Sequence, residues 1–189
     1  MGGWHMKISK RFCLLLAILL IFFAFIIRIL YVNKVEYKIP TKQICNVGDV
    51  VNCNGLEISV TKAEYMEERD IETNFGKDVT QQLQESCIII YLSLSNSTLK
   101  SMKFNVPATG IMYGDKFGGN SDPYFYQMVN TNSTEIEEVQ PGQRKDYILA
   151  FSTHETEIPE QTMFICSLYP QNISFLLTNV KQPLSNPTR

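Results

Sequence analysis

A chain of 189 residues, 44% hydrophobic and 19% charged, has room for one domain and a short accessory segment. The first 32 positions hold Lys7, Lys10, Arg11 and Arg28 and no acid, whereas residues 33–189 carry 13 basic against 19 acidic side chains, a formal charge of 13 − 19 = −6. A surface of that sign repels phosphate backbones and anionic lipid, which counts against nucleic acid as a partner and against a domain lying flat on a membrane.

Residues 1–11 form a short N-terminal tail. Residues 12–32 then read as a transmembrane helix. The run is apolar without a break from Phe12 to Ile27 and resumes after Arg28. At a rise of ~1.5 Å per residue it would extend about 31 Å, the thickness of a bilayer core. Arg28 lies near one end, where its long stem can carry the guanidinium to the headgroups. A cleaved signal peptide would need small residues at a cleavage site after a shorter core. The sequence offers Arg28-Ile-Leu-Tyr-Val-Asn instead. A buried core helix is the remaining alternative, though so long a run is rare in a soluble domain of this size. Lys7, Lys10 and Arg11 before the span nearly balance Lys34, Lys38 and Lys42 after it, so flanking charge alone does not orient it. The shortness of the tail and the cysteines of the following domain favour the N-terminus inside and the domain outside.

Residues 33–44 are polar, include Pro40 and read as a linker, which would hold the domain near the membrane. From there the period becomes that of strands. Leu56, Ile58 and Val60 alternate with Glu57, Ser59 and Thr61, the pattern of a half-buried strand. Met66–Ser86 is polar and charged, with Val79 and Leu83 at helical spacing, and is expected to hold one short helix or a loop. Cys87–Leu94 is apolar on both faces at first, as for a central strand covered on two sides. Further strands are expected at Lys103–Val106, at Ile111–Tyr113 and Lys116–Phe117 around the Gly114-Asp115 turn, at Tyr124–Val129, Arg144–Phe151, Met163–Leu168 and Ile173–Leu177. Residues 181–189, with Pro183 and Pro187, read as a disordered tail. The expected fold is all-β: an immunoglobulin-like β-sandwich over residues 45–180, preceded by one N-terminal transmembrane helix.

The order of segments carries a resemblance. NGLEISV at Asn54–Val60 follows a turn, CIIIYLSLSNST spans Cys87–Thr98, GIMYGDKFG spans Gly110–Gly118, and VQPGQRKDYILAF runs from Val139 to Phe151. This resembles the membrane-anchored or secreted immunoglobulin-like domains of unknown function found in Gram-positive bacteria, a group similar in fold to a mycobacterial secreted immunoprotective antigen. The resemblance covers residues 45–180 and implies no catalytic residues. Members usually follow a signal sequence or lipoprotein cysteine, from which an uncleaved helix departs. The only tryptophan is Trp4, so the buried core tryptophan of antibody-type domains is missing.

Four cysteines follow the apolar run: Cys45, Cys53, Cys87 and Cys166. They allow three pairings. Cys45 with Cys53 and Cys87 with Cys166 is the favoured set, four reduced thiols the plain alternative. No CxxC spacing is present and His154 is the one histidine after the apolar run, so zinc is not expected. His154 follows a strand without a nucleophile elbow or an evident acid partner. Asp115, Asn120 and Asp122 around Gly118-Gly119 form a weak calcium candidate, with an ordinary turn as the simpler reading. Asn96, Asn132 and Asn172 each begin an Asn-x-Ser/Thr triplet, read as turn residues in a bacterial chain. Tyr113, Phe117, Tyr124, Phe125 and Tyr126 gather enough aromatic area to anchor a partner, although core packing is expected for at least half of them.

These readings point to a membrane-tethered, extracytoplasmic, non-enzymatic binding or structural module without a cofactor. It would meet the membrane through its N-terminal helix and a protein partner at the cell envelope. The alternatives are an inhibitor or protective partner of a secreted protein, presenting an acidic face, and an envelope hydrolase using His154.

Overall fold

The computed structural model of the chain describes residues 16, 19–29, 41–83, 86–131, 133–153, 158, 160–168, 171–178 and 180. It divides into two compact units, Met1–Ile39 and Pro40–Arg189. In the first, residues 19–29 are helical and their side chains are exposed, Phe22, Phe25 and Ile27 among them. Among the described residues no helix is long and apolar enough to cross a membrane. The expected span over residues 12–32 reaches beyond the described residues at both ends.

The second unit is mostly strand. Its elements are β1 (Thr41–Asn46), β2 (Val50–Cys53), β3 (Leu56–Met66), α1 (Glu68–Phe75), α2 (Lys77–Leu83), β4 (Cys87–Asn96), β5 (Met102–Asn105), β6 (Thr109–Tyr113), β7 (Lys116–Asn120), α3 (Pro123–Val129), β8 (Ile136–Val139), β9 (Arg144–Ser152), β10 (Thr162–Leu168) and β11 (Gln171–Leu176). A five-stranded sheet has the order β1-β11-β10-β6-β7, a four-stranded sheet the order β2-β3-β4-β9, and β5 pairs with β8 in a separate ribbon. β1 runs parallel to β11, and the other pairs are antiparallel.

Two-residue alternation explains why the sheets face each other. Ile58 and Val60 of β3, Ile90 and Leu92 of β4 and Leu149 and Phe151 of β9 share one core with Ile111, Phe164, Cys166, Ile173 and Phe175 of the other sheet. The Phe151 and Phe164 rings meet across it at 5.8 Å, edge to face. The domain is therefore a β-sandwich. A bulge between Val60 and Lys62 shifts the register of β3 against β4. After it the inward phase changes, so that Ala63 and Tyr65 pack on the sandwich core while Met66 turns to the outer face.

That outer face carries a second apolar cluster. Met66, Cys87, Ile89 and Ala150 from β3, β4 and β9 lie beneath Ile71 of α1, Val79 and Leu83 of α2 and Phe125 of α3. Phe75 and Phe125 pack edge to face at 5.1 Å. β4 is central in its sheet and covered on both sides, as its doubly apolar sequence implies.

Three expectations change. β1 begins at Thr41, inside the segment read as a linker. Met66–Ser86 holds two helices, α1 and α2. Tyr124–Val129 is helix, not strand: Asp122 caps α3 by accepting a hydrogen bond from Phe125 N at 2.8 Å, and Pro123 occupies the first turn, where its missing N–H is harmless.

Candidate functional site

The helices cover only half of the outer face of the four-stranded sheet. On the open half a cleft of about 520 Å³ is bounded by Thr61, Tyr91, Asn130, Thr131, Arg144 and Asp146 among others. Thr61 and Arg144 also border a second hollow of about 300 Å³ that continues over Glu57, Ser59, Ser93 and Ser95. Apart from Asn130 and Thr131, which follow α3, these residues are the outward phase of β3, β4 and β9. In the same strands the inward phase is apolar, so alternation alone builds this polar floor.

Paired charges and an aromatic ring flank the floor. Arg144 Nε donates to Asp146 Oδ1 at 3.2 Å, and both side chains are largely exposed. Lys62 Nζ sits 5.2 Å from the centre of the Tyr91 ring and 2.6 Å from Glu64 Oε2. Burial pushes the Tyr91 hydroxyl up to about 12, and the neighbouring Glu64 carboxylate adds to the shift. Tyr91 is therefore a neutral donor at physiological pH.

One wall of the cleft is fixed by Asn130. Its side-chain amide donates to Ile148 O at 2.7 Å and to Tyr126 O at 2.9 Å, and its oxygen accepts from Ile148 N at 2.8 Å. β9 is an edge strand, and the Asn130 amide completes its hydrogen bonding there as a neighbouring strand would. The end of α3 is thereby held against the sheet.

Behind this wall lies Glu137, 2% exposed and the one charged side chain buried among the described residues. Its Oε1 accepts from Tyr126 OH at 2.9 Å and from the Thr134 backbone N–H. Its Oε2 accepts from Tyr147 OH at 2.9 Å and Lys145 Nζ at 3.1 Å. Burial by itself would raise the carboxyl, but these four donors outweigh it and hold Glu137 below the ordinary carboxylate range. Burial and the Glu137 charge push both tyrosine hydroxyls well up. A carboxylate so engaged is a poor proton acceptor at neutral pH, and the two tyrosines stay protonated. The group clamps β8, β9 and α3 together, and with both oxygens engaged it is not poised for proton transfer.

The aromatic residues singled out in the sequence do not form one surface. Tyr113, Phe125 and Tyr126 are buried, whereas Phe117 and Tyr124 are 63% and 62% exposed. β6 and β7 make a hairpin, and α3 follows. The calcium candidate is taken apart by the same hairpin. Asp115 lies in its turn and Asn120 at the far end of β7, roughly 16 Å away at the rise of a strand, while Asp122 is spent on its cap. Among the described residues no group of three His, Cys, Asp or Glu side chains is placed to hold a metal ion. His154 lies outside the described residues, as do Asn132, Cys13 and Trp4.

All four domain cysteines are buried, and none of them is joined in a disulfide in this structure. Cys87 belongs to the outer cluster under the helices and Cys166 to the sandwich core, so the backbone of the four-stranded sheet separates the pair favoured from sequence. Cys45 and Cys53 lie in strands of different sheets, β1 and β2. Asn96 is 1% exposed. It donates to Lys100 O and Val139 O at 2.7 and 2.8 Å and accepts from Thr98 N and Oγ1. It is a structural turn residue, with no amide free for modification.

Glu137, Asn130 and Tyr147 were not singled out in the sequence. A signal was there for Glu137: it shares the two-residue phase of Val139, an acid where an apolar residue belongs. The exposed Ile136 beside it obscures that phase.

No protein-family model matches this sequence, and no curated protein matches it. Among solved structures the chain is similar to the yjhA protein from Bacillus subtilis, with 12% identity and a TM-score of 0.43 over 65% of this chain and 79% of that one. It is similar to an uncharacterized β-sandwich protein from Clostridium difficile 630, with 11% identity and a TM-score of 0.40 over 72% of this chain and 94% of that one. A functionally unknown protein from Listeria monocytogenes EGD-e gives 10% identity and a TM-score of 0.42 over 62% and 69%.

Proposed function

We propose that this chain is a membrane-tethered, extracytoplasmic binding module, immunoglobulin-like and non-enzymatic, that receives a polar partner on the open half of its four-stranded sheet. The observation that carries the reading is the cleft itself. It offers short hydroxyls, a neutral tyrosine and an Arg144–Asp146 pair on a rigid sheet, while the buried acid behind it is saturated by donors. Polar groups on a fixed scaffold suit recognition by hydrogen bonding. The tether is supported by the apolar run from Phe12 to Val32 and by the exposed apolar side chains of residues 19–29, which in water would be a costly surface.

Fractionation of cells making the full chain tests this. The protein should pellet with membranes and leave them only in detergent, and protease added to intact cells should remove the domain. Recovery in the aqueous fraction would refute the tether. A membrane-bound domain that protease reaches only after lysis would refute the outward orientation.

A second reading, an inhibitor or protective partner of a secreted protein, is supported by α1. Glu68, Asp70 and Glu72 are all exposed there, with Glu67 just before them. It requires a basic partner whose binding weakens with salt and with charge reversal of these residues.

A further inference from the structure

We propose that Cys53 and Cys166 form a disulfide between the two sheets when the domain folds under oxidising conditions. The approach of Cys53 to β10 points to this pair. Cys87 is set apart beneath the helices. Cys45 lies opposite Phe175, which lies opposite Phe164, so it aligns with a residue before Cys166 on β10 and one strand further away. Cys53 instead reaches across the sandwich. Its Sγ lies 3.9 Å from the backbone oxygen of Leu168, at the end of β10. Cys166 is two residues earlier on that strand, in the same inward phase, and both thiols belong to one core cluster. The closeness is also felt electrostatically. Burial pushes the Cys166 thiol far up, and a charge on Cys53 pushes it further.

The chemistry is a thiol–disulfide exchange with a small-molecule disulfide such as oxidised glutathione. One protein thiolate attacks a sulfur of the reagent and releases one small thiol. The second protein thiolate attacks the mixed disulfide and releases the other. Two protein S–H bonds are lost, one S–S bond forms, and the reagent takes up the two electrons and two protons. The thiolate is the attacking species, so burial makes both groups inert once the sandwich has closed. Oxidation therefore belongs to folding, and the finished bond is shielded from reductants. It would join β2, at one edge of its sheet, to β10 in the middle of the other. Those strands are far apart in sequence, the arrangement in which a cross-link constrains the unfolded chain most. The inference does not rest on the membrane placement, and its test is made on purified protein.

The full chain in detergent is reduced, unfolded and refolded in a glutathione redox buffer. It is then alkylated and digested without reductant for mass spectrometry. The expected product is one linked peptide pair, Cys53 with Cys166, with Cys13, Cys45 and Cys87 alkylated. The melting temperature should rise by about 5–15 °C over the reduced form. The variant with Cys45→Ser and Cys87→Ser should oxidise as the natural chain does, and Cys53→Ser should abolish the bond. Linkage through Cys45 or Cys87 in the natural chain would overturn the proposal. So would two free thiols persisting at Cys53 and Cys166 after refolding in the oxidising buffer. Neither result would bear on whether the protein is tethered to a membrane.

Discussion

Glu137 persists inside a sandwich because each of its oxygens receives two donors. An unpaired buried carboxylate would take up a proton or unfold its surroundings. In the unfolded chain a glutamate titrates near ~4.3, and in the fold this one is held lower. Its contribution is thus complete above about pH 5 and is lost as pH falls through the depressed native value. Glu137→Gln should destabilise the domain by about 2–4 kcal/mol at neutral pH, since Lys145 and both tyrosines lose a charged acceptor. The difference from the natural chain should shrink toward acid pH, and denaturant unfolding at a series of pH values measures both effects. Tyr147→Phe removes one donor and should cost about 1–3 kcal/mol. Residues of this kind were hard to read from sequence. Phase reveals an acid at an inward position, but its four partners come from separate segments, and only the fold brings them together.

Elements were legible where one periodicity ruled. β3, β4 and β9 follow from alternation, and the double burial of β4 from its unbroken apolar start. β2 is not among the expected strands; in the fold the Asn54-Gly55 turn makes its hairpin, both residues having positive φ, 54° and 95°, and a Cβ on Gly55 would stand 2.0 Å from the Thr98 methyl. Tyr124–Val129 reads as strand because Tyr124-Phe-Tyr has strand composition, whereas the cap at Asp122 and the proline after it decide the local conformation. Asp122→Ala should therefore cost about 1 kcal/mol, read by thermal or denaturant melting. The helical layer makes a larger claim. Ile71 is fully buried between α1 and the sheet, so Ile71→Ala should cost about 2–5 kcal/mol by leaving a cavity there. If α1 were only an ornament on a self-sufficient sandwich, the loss would fall well below that range.

At the scale of the whole molecule, residues 40–189 hold the sandwich core and the helical layer within one compact unit. That segment expressed alone should fold, with a melting temperature within a few degrees of the full chain, and should stay in the aqueous fraction. A photo-cross-linking side chain at Ser95, on the floor of the hollow that continues the cleft, should capture a component of the cell envelope. The same group at Lys103 of β5, outside the cleft, should not. Equal capture at both positions would remove the cleft from the proposed function. Architecture at this scale was partly visible: strand patterns imply two facing sheets, but nothing in the sequence says which half of an outer face the helices leave bare.

The pairing of β1 with β11 bears on how the domain would take a load. The chain enters at Thr41 directly into a strand whose six residues, Thr41–Asn46, register in parallel with Gln171–Leu176. In a parallel pair the leading end of one strand and the trailing end of the other point in opposite directions. Tension drawn along the entering strand against a load held at the trailing end of β11 would then shear the ladder as a whole and not peel it bond by bond. Loaded in that direction, the domain would resist at the strand nearest its proposed tether.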